Sequence, residues 1–532
     1  MRRIGIDVGG TNTDAVLLVD GKVVEGVKDS TTADVTSGIV AAFQALGNAT
    51  GFGGRIDALM IGTTHFINAV VQRRHLTRVA AIRIALPATA ALPPFTGWPD
   101  DLAELANGGI WQIEGGHDYD GRRFMPLDFV AARTAAREIR DRGLKFAVVT
   151  AMFSPLDSSD EEAIADILRE EIPGVSVTCS HRLGGIGLLE RENAAILNAS
   201  LVALAQETIG GFEQAKARLG LSAPLYVTQN DGTVAEASRA AAYPVYSFAS
   251  GPTNSMRGAA YLSGIKEAIV VDVGGTTADF GHLRLGFPRE ANAVVHVGGV
   301  RTLFRMPDLI SIGLGGGSRV DLSRRRIGPA SVGYRLPQEA LIFGGETLTM
   351  TDIGVAAGLI ELGDRDRVAH LRPSDIESAL DRAREMIEEN VDRMKPDAGE
   401  VTLIAVGGGA FLVPERLEGV SKVVRVDHGG CANAVGAAIA QVSGEVDQVF
   451  QGVSRGEAIA AARRLADDRA IEAGATPDTL SMVEAEDTPI AYLPGNAMRI
   501  RVKVVGDIAA SVARTRDTEE TEHARSLSDQ HS

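Results

Sequence analysis

Asp-Val-Gly-Gly-Thr-Asn-Thr-Asp fills residues 7–14, and Asp-Val-Gly-Gly-Thr-Thr-Ala-Asp fills residues 272–279. Six of the eight letters match. Each copy follows an apolar run, Ile4 to Ile6 or Ile269 to Val271, and precedes another. The pattern reads as strand, glycine turn, strand, twice in one chain. Glycine has no Cβ to block close approach, so such a turn aims its backbone N–H groups at a phosphate. The flanking threonines offer hydroxyls, and the carboxylates hold Mg²⁺ through water. A single copy suits an ordinary hairpin. Two copies imply a nucleotide clamped between two related halves.

The rest of the composition narrows the class. A chain of 532 residues exceeds one typical core and implies two to four domains. Its 45% hydrophobic and 23% charged content is ordinary for a globular protein. A net charge of −16, with no basic tract, argues against a nucleic-acid or membrane-surface protein. Only Cys179 and Cys431 are present, without metal-ligand spacing, so two reduced, buried thiols are expected. The apolar strand pattern begins at Ile4, leaving no room for a signal peptide, and no apolar run approaches a membrane span. A cytoplasmic enzyme is the expectation.

Along the chain, strands at 4–7, 15–19 and 23–28 form a meander, with Asp20-Gly21 as a tight hairpin turn. Strand 58–61 leads into Gly62-Thr63-Thr64, and a helix begins near Phe66. After the strand at 79–86, residues 87–128 are rich in Pro, Gly and aromatics and hold Trp98 and Trp111; they read either as a cover for a substrate pocket or as an anchored insertion. Alternating helices and strands resume to residue 179, and a long helix spans about 190–219. Beyond the second octet come Gly-rich 313–318, a helix at 373–394, strand 401–405 entering Gly407-Gly408-Gly409, and a small-residue helix at 432–442. A helix near 455–474 and a hairpin (489–492, 498–505) follow, and polar residues 511–532 are expected to be disordered. The predicted fold is α/β, with lobes at 1–190 (carrying the 87–128 insertion) and 191–445, a small α+β piece at 446–508 and a tail at 509–532.

Two octets, the alanine-rich helix at 192–201, the glycine turn at 407–409 and the small-residue helix at 434–440 stand in an order that resembles the acetate/sugar kinase, heat-shock-70 and actin superfamily. That resemblance implies duplicated ribonuclease-H-like domains around ATP, with the two alanine-rich helices crossing at a hinge. Carried over by position, Asp7 and Asp272 hold Mg²⁺ through water. Gly9, Gly10, Gly274 and Gly275 offer N–H groups, and Thr11, Thr13, Thr276 and Thr277 offer hydroxyls to phosphate. Gly407, Gly408 and Gly409 approach the adenosine. Asp14 and Asp279 either close each turn at the site or merely cap their own backbone.

Between these landmarks, Gly62-Thr63-Thr64-His65-Phe66-Ile67-Asn68-Ala69, Gln229-Asn230-Asp231-Gly232, Ser250-Gly251-Pro252, the run Ser311-Ile312-Gly313-Leu314-Gly315-Gly316-Gly317-Ser318 and Thr351-Asp352 resemble segments of the hydantoinase A / 5-oxoprolinase family, over about residues 3–442. The resemblance implies ATP-dependent opening of a hydantoin, 5-oxoproline or related lactam, or carboxylation of a ketone, together with a separate B-type subunit. It offers Thr64 and His65 as catalytic candidates beside Asp7 and Asp272. For Thr64 the alternative is helix capping, and for His65 a structural role. A homo-oligomer stays open. Departures lie at Asp231, which adds a carboxylate near the presumed cleft, and in 328–345. Outside this class stands a non-enzymatic actin- or chaperone-like ATPase.

Overall fold

The computed structural model describes residues 1–509 except 10–11, 31–34, 53, 292–294, 304–305 and 491–496. Gly10, Thr11 and the tail at 511–532 therefore lie outside the described residues.

Strands Arg2–Val8, Asn12–Val19 and Lys22–Ser30 form the expected meander. Asp20 and Gly21 both take positive φ (48° and 77°), as the two central residues of a tight hairpin turn of this hand require. The meander is one edge of a nine-stranded sheet. Inward from it come Ala58–Thr63, Leu225–Thr228, Thr233–Glu236, Gln441–Phe450, Met498–Gly506 and finally Ser481–Pro489.

Two expectations about domain limits meet this sheet. The 190/191 division falls inside the helix Leu188–Arg218, and strands 225–228 and 233–236 join the first sheet rather than the second. Residues 446–508 likewise extend the first sheet, through the long antiparallel pairing of Gln441–Phe450 with Met498–Gly506. The helix Arg455–Glu472 seals that extension. Its buried Ala458, Ala462, Ala466 and Ala470 recur every four residues and form one face. Opposite them Gly444 lets the helix so close that a Cβ there would sit 1.9 Å from the Ala466 carbonyl oxygen.

The second octet heads its own sheet, in the order Phe287–Pro288, Ala278–Arg284, Ala268–Val273, Val401–Val406, Val420–Arg425, with Leu309–Ile312 also paired to Ala278–Arg284. A third, four-stranded and wholly parallel sheet consists of Asn107–Glu114, Val79–Leu86, Phe146–Ala151 and Ser176–Cys179. Part of the 87–128 segment is thus a helix, Asp100–Ala106, and an edge strand. Gly108-Gly109 interrupts the strand's side-chain alternation, which hid it in the sequence. Trp98, only 7% exposed, packs with Phe66, Val70 and Leu102 and anchors the segment.

Leu188–Arg218, 31 residues, is long and apolar enough to cross a membrane, contrary to the expectation that no run is. Its most apolar 18-residue window is 72% buried inside the protein. A helix buried on most of its faces is what a core position between packed layers calls for.

The hinge also differs from expectation. The helix that meets the small-residue helix Ala432–Ala438 most intimately is Ser250–Ser263, not the 192–201 segment. A Cβ on Gly258 would lie 1.8 Å from the Ala432 carbonyl oxygen, and one on Gly436 1.8 Å from that of Asn254. Glycine on each helix faces backbone on the other, so the axes approach as closely as bare main chains allow. Gly436→Ala is expected to destabilise the protein by at least about 2 kcal/mol, because backbone cannot step aside as a side chain can. A thermal-unfolding midpoint within a degree of the parent would contradict this.

Candidate functional site

The two octets fold alike. In the first, Val8 pairs with Thr13 and Asp7 with Asp14; in the second, Val273 pairs with Ala278 and Asp272 with Asp279. Gly9 N–H donates to the Asn12 carbonyl at 3.0 Å, and Gly274 N–H to that of Thr277 at 2.9 Å. The two aspartates of each octet therefore face each other across a hairpin of the same register.

The strand parallel to each octet completes the likeness. Ala58–Thr63 runs beside Arg2–Val8 and ends in Gly62-Thr63-Thr64; Val401–Val406 runs beside Ala268–Val273 and ends in Gly407-Gly408-Gly409. A Cβ on Gly62 would lie 2.2 Å from Asp7 Oδ1, and one on Gly407 2.2 Å from Asp272 Oδ1. Each glycine leaves room for its lobe's carboxylate, so the third glycine turn has an internal twin at residues 62–64. Gly409 N–H donates to the Val273 carbonyl at 2.7 Å. On its other side the second turn is braced by the Gly-rich segment, where Gly316 N–H donates to the Gly274 carbonyl and Gly317 N–H to that of Gly275, at 3.0 and 2.7 Å. Gly275, Thr276 and Thr277 keep partial exposure there, whereas Thr13 is buried.

Four carboxylates, Asp7, Asp14, Asp272 and Asp279, share this region. Asp7 is 3% exposed. Burial pushes it up to about 6, and repulsion from Asp14 and Asp272 adds to that against donation from Asn254 and Asn433. Asp279 is likewise pushed up to about 6, by burial first, with Ser311 opposing and Asp272 adding. Asp272, partly exposed, is raised by burial, with Ser255 and Lys28 opposing. Lys28, opposite Asp14 in the meander, brings its ammonium to 2.7 Å of Asp14 Oδ1. One lysine does not offset this group.

The hinge helices supply neutral donors. Asn254 Nδ2 donates to Asp7 Oδ1 at 3.1 Å, and Asn433 Nδ2 to Asp7 Oδ2 at 3.1 Å and Asp14 Oδ2 at 2.8 Å. Ser255 Oγ donates to Asp272 Oδ2. Asn254 Oδ1 is buried beside Asp7 without a protein partner, and a buried acceptor of this kind suits a water held by a cation. The residues present thus fit a divalent cation with its waters, held by Asp7 and Asp272. Lys28, Asn254, Ser255 and Asn433 were absent from the sequence candidates. The sole signal was proximity of Asn254 and Ser255 to Ser250-Gly251-Pro252 and of Asn433 to the small-residue helix.

The pH dependence follows. The folded pKa of Asp7 and Asp279 lies near 6, above the ordinary 3.8, so their contribution to stability is complete below about 3.8 and is lost as pH rises through 6. Mg²⁺ bound here would neutralise the ionised cluster and is therefore expected to raise the thermal midpoint more at pH 7.5 than at pH 5.5. Equal shifts at the two pH values would contradict the assignment.

Thr64 joins the group: a Cβ on Gly251 would lie 3.4 Å from Thr64 Cγ2 and 3.9 Å from Asp7 Oδ2. Thr64 makes no side-chain cap bond to the helix His65–Val71; its Oγ1 accepts from Asn68 Nδ2 at 3.3 Å. His65 is not brought to the carboxylates. It is partly buried, and its pKa is lowered by burial and then by His75, with Glu207 opposing. Asp231 is likewise not a free cleft carboxylate: Lys503 of the last strand stands 2.7 Å from its Oδ2, and Thr233 donates to its Oδ1. Arg301 pairs with Glu190 and Arg319 with Glu339, while Arg305 lies outside the described residues.

Contrary to the expectation from cysteine spacing, Glu161, Cys179 and His181 bring ligand atoms within 4.8 Å of one another. The Glu161 carboxylate accepts from Ala151 N–H, Ser180 Oγ and His181 N–H, and burial pushes the Cys179 thiol up to about 12.

Residues 3–172 match the family model described as the hydantoinase/oxoprolinase N-terminal region, and residues 191–364 that described as hydantoinase/oxoprolinase. The gamma subunit of acetophenone carboxylase from Aromatoleum aromaticum is 29% identical over 396 residues, 67% of this chain and 53% of that protein. The alpha subunit of caprolactamase from Pseudomonas jessenii is 25% identical over 445 residues, 76% of this chain and 61% of its own. The chain thus spans between half and two thirds of the length of these relatives. Among solved structures, the ATP-dependent caprolactamase of Pseudomonas jessenii superposes with a TM-score of 0.72 at 19% identity, covering 95% of this chain and 87% of that one. Nucleotide-free acetone carboxylase gives 0.68 at 18%, covering 96% and 89%. Likeness over nearly the whole chain shows the two-lobed, actin-like α/β fold expected from the paired octets.

Proposed function

Because the chain belongs to the hydantoinase/oxoprolinase family, we propose that it uses ATP to activate the carbonyl oxygen of a cyclic amide or imide for ring opening, working with a separate B-type subunit. The observation that carries the ATP reading is the convergence of Asp7 and Asp272, from two hairpins of one register, on a single under-neutralised carboxylate cluster. The substrate class rests on the family and on the relative named caprolactamase.

An unstrained lactam resists water because amide resonance makes its carbonyl a poor electrophile. Moving the γ-phosphoryl group to the lactam oxygen would break the bond between Pγ and the β–γ bridging oxygen, release ADP and the lactam N–H proton, and leave an imidate phosphate; water adding at its carbon would then expel phosphate and open the ring C–N bond. Such a transfer asks the protein mainly for positioning and charge neutralisation. Gly275 of the second turn would present backbone to the phosphates, while the N–H groups of Gly9 and Gly274, expected to do so, close their own turns onto the Asn12 and Thr277 carbonyls. Thr276 and Thr277 orient them, and Gly407 to Gly409 border the adenosine, whereas Thr13, expected to join them, is buried. Mg²⁺, held through water by Asp7 and Asp272, would supply charge neutralisation on the transferring group. On this reading Thr64, on the side of Asp7, would meet the acceptor oxygen.

A second reading has its own support: the carboxylase relative is 29% identical against 25% for the lactamase relative. A ketone carboxylase subunit would phosphorylate an enolate or bicarbonate oxygen with the same turns. ATP turnover measured against lactams and hydantoins, and separately against ketones with bicarbonate, each with and without the co-encoded partner, decides between them. Stimulation by a lactam or hydantoin is the expected result. Stimulation only by a ketone with bicarbonate makes the chain a carboxylase subunit, and stimulation by neither removes the enzymatic reading.

A further inference from the structure

Asn254 and Ser255 are consecutive on the hinge helix Ser250–Ser263, yet they serve opposite lobes. Asn254 donates to Asp7 on the first sheet, and to Thr228 Oγ1 at 3.1 Å. Ser255 donates to Asp272 on the second sheet. Neighbouring helix positions point about 100° apart, so this helix stands as a wedge between the two octets. Asn433, on the other hinge helix, bridges Asp7 and Asp14 with one amide nitrogen. Both oxygens of Asp7 are therefore held by amides from the two crossing helices.

We propose that Asn254, Ser255 and Asn433 are positioning residues that fix the spacing of Asp7 and Asp272 and so make divalent-cation affinity depend on the hinge angle. This rests on the Mg-ATP reading above and adds the means by which lobe closure is sensed. The helices cannot shift independently, because Gly258 and Gly436 lock their backbones together. Rotation of either lobe about that crossing changes at least one of the three side-chain contacts. The donor chemistry fits the task. Amides and a hydroxyl orient carboxylate oxygens without neutralising the charge that a cation needs, whereas a lysine or arginine here would compete with it. Lys28 makes its ion pair with Asp14.

The test is Mn²⁺ binding, followed by electron paramagnetic resonance with ADP or a non-hydrolysable ATP analogue present, for the full chain and for Asn254→Ala, Ser255→Ala and Asn433→Ala. The expected result is Mn²⁺ affinity about 10–100-fold weaker in each variant, with metal-free nucleotide affinity unchanged and Ser255→Thr, which keeps the hydroxyl, close to the parent. Ser255→Ala trims a single oxygen and carries the test if Asn254→Ala does not fold. Folded variants that bind Mn²⁺ within about twofold of the parent, while Asp272→Asn loses it, overturn this inference and leave the ATP reading standing. A parent chain that binds neither Mn²⁺ nor nucleotide overturns both.

Discussion

Replacing Asp7 or Asp272 by asparagine is expected to lower metal-dependent ATP turnover by about a hundredfold or more while making the metal-free protein more resistant to heat. The two signs have one cause. Four carboxylates share a region that Lys28 does not neutralise, and burial holds Asp7 near 6. Asparagine keeps the shape, accepts one hydrogen bond fewer and removes the repulsion, so the resting fold relaxes. The same change removes the charge proposed to hold the cation through water, and loss of one such electrostatic contact typically costs about 10²–10³ in rate. Calorimetric titration with Mg-ATP and thermal unfolding without metal measure the two effects separately. Intact Mg-ATP binding in Asp7→Asn and Asp272→Asn would end the argument from the paired turns. Loss of binding with a lowered thermal midpoint would mean that the carboxylates are structural.

The paired turns were legible because each is written in adjacent letters. Glycine at fixed offsets, flanked by apolar runs, specifies a hairpin locally, and the two copies take the same register. Gly407 to Gly409 were legible for the same reason. What escaped the sequence depends on pairing between distant segments. Nothing local marks Leu225–Thr228 or Met498–Gly506 as members of the first octet's sheet, since strand partners are chosen by the core they jointly close. The hinge donors were hidden differently. Asn254, Ser255 and Asn433 are ordinary polar letters in small-residue helices, and only the crossing of those helices aims them at Asp7 and Asp272. His65, in the same segment as Thr64, has His75 and Glu207 as its electrostatic neighbours. Sequence neighbourhood with Thr64 does not fix which way the next side chain on a helix points.

Glu192→Ala is expected to cost about 3–5 kcal/mol. Glu192 opens the long helix Leu188–Arg218, and Arg83 lies within the parallel inserted sheet, both essentially without solvent contact. Arg83 Nε donates to Glu192 Oε1 at 2.8 Å and its Nη2 to Oε2, a two-pronged pair, while Nη1 reaches the Leu92 carbonyl. Burial raises the Glu192 pKa, with Arg83 and then Arg191 opposing, and a buried ion pair is not by itself a net source of stability. Removing the carboxylate alone therefore strands a buried guanidinium, which is the costly event. Replacing both partners, Arg83→Met with Glu192→Leu, should recover most of the loss, because well-packed apolar groups need no compensation. The adjacent Arg191 explains why this end of the helix tolerates no slack. Its guanidinium donates to Ser180 Oγ and to the Gly185, Ile186 and Ala151 carbonyls, clamping the helix to the ends of two inserted strands. Trp98 Nε1 donates to Asn193 Oδ1 at 2.7 Å, so urea unfolding followed by tryptophan fluorescence reads the junction directly. A midpoint for Glu192→Ala equal to the parent's, or a double replacement no better than the single, would show that the ion pair is dispensable and that the helix is held by its apolar faces alone.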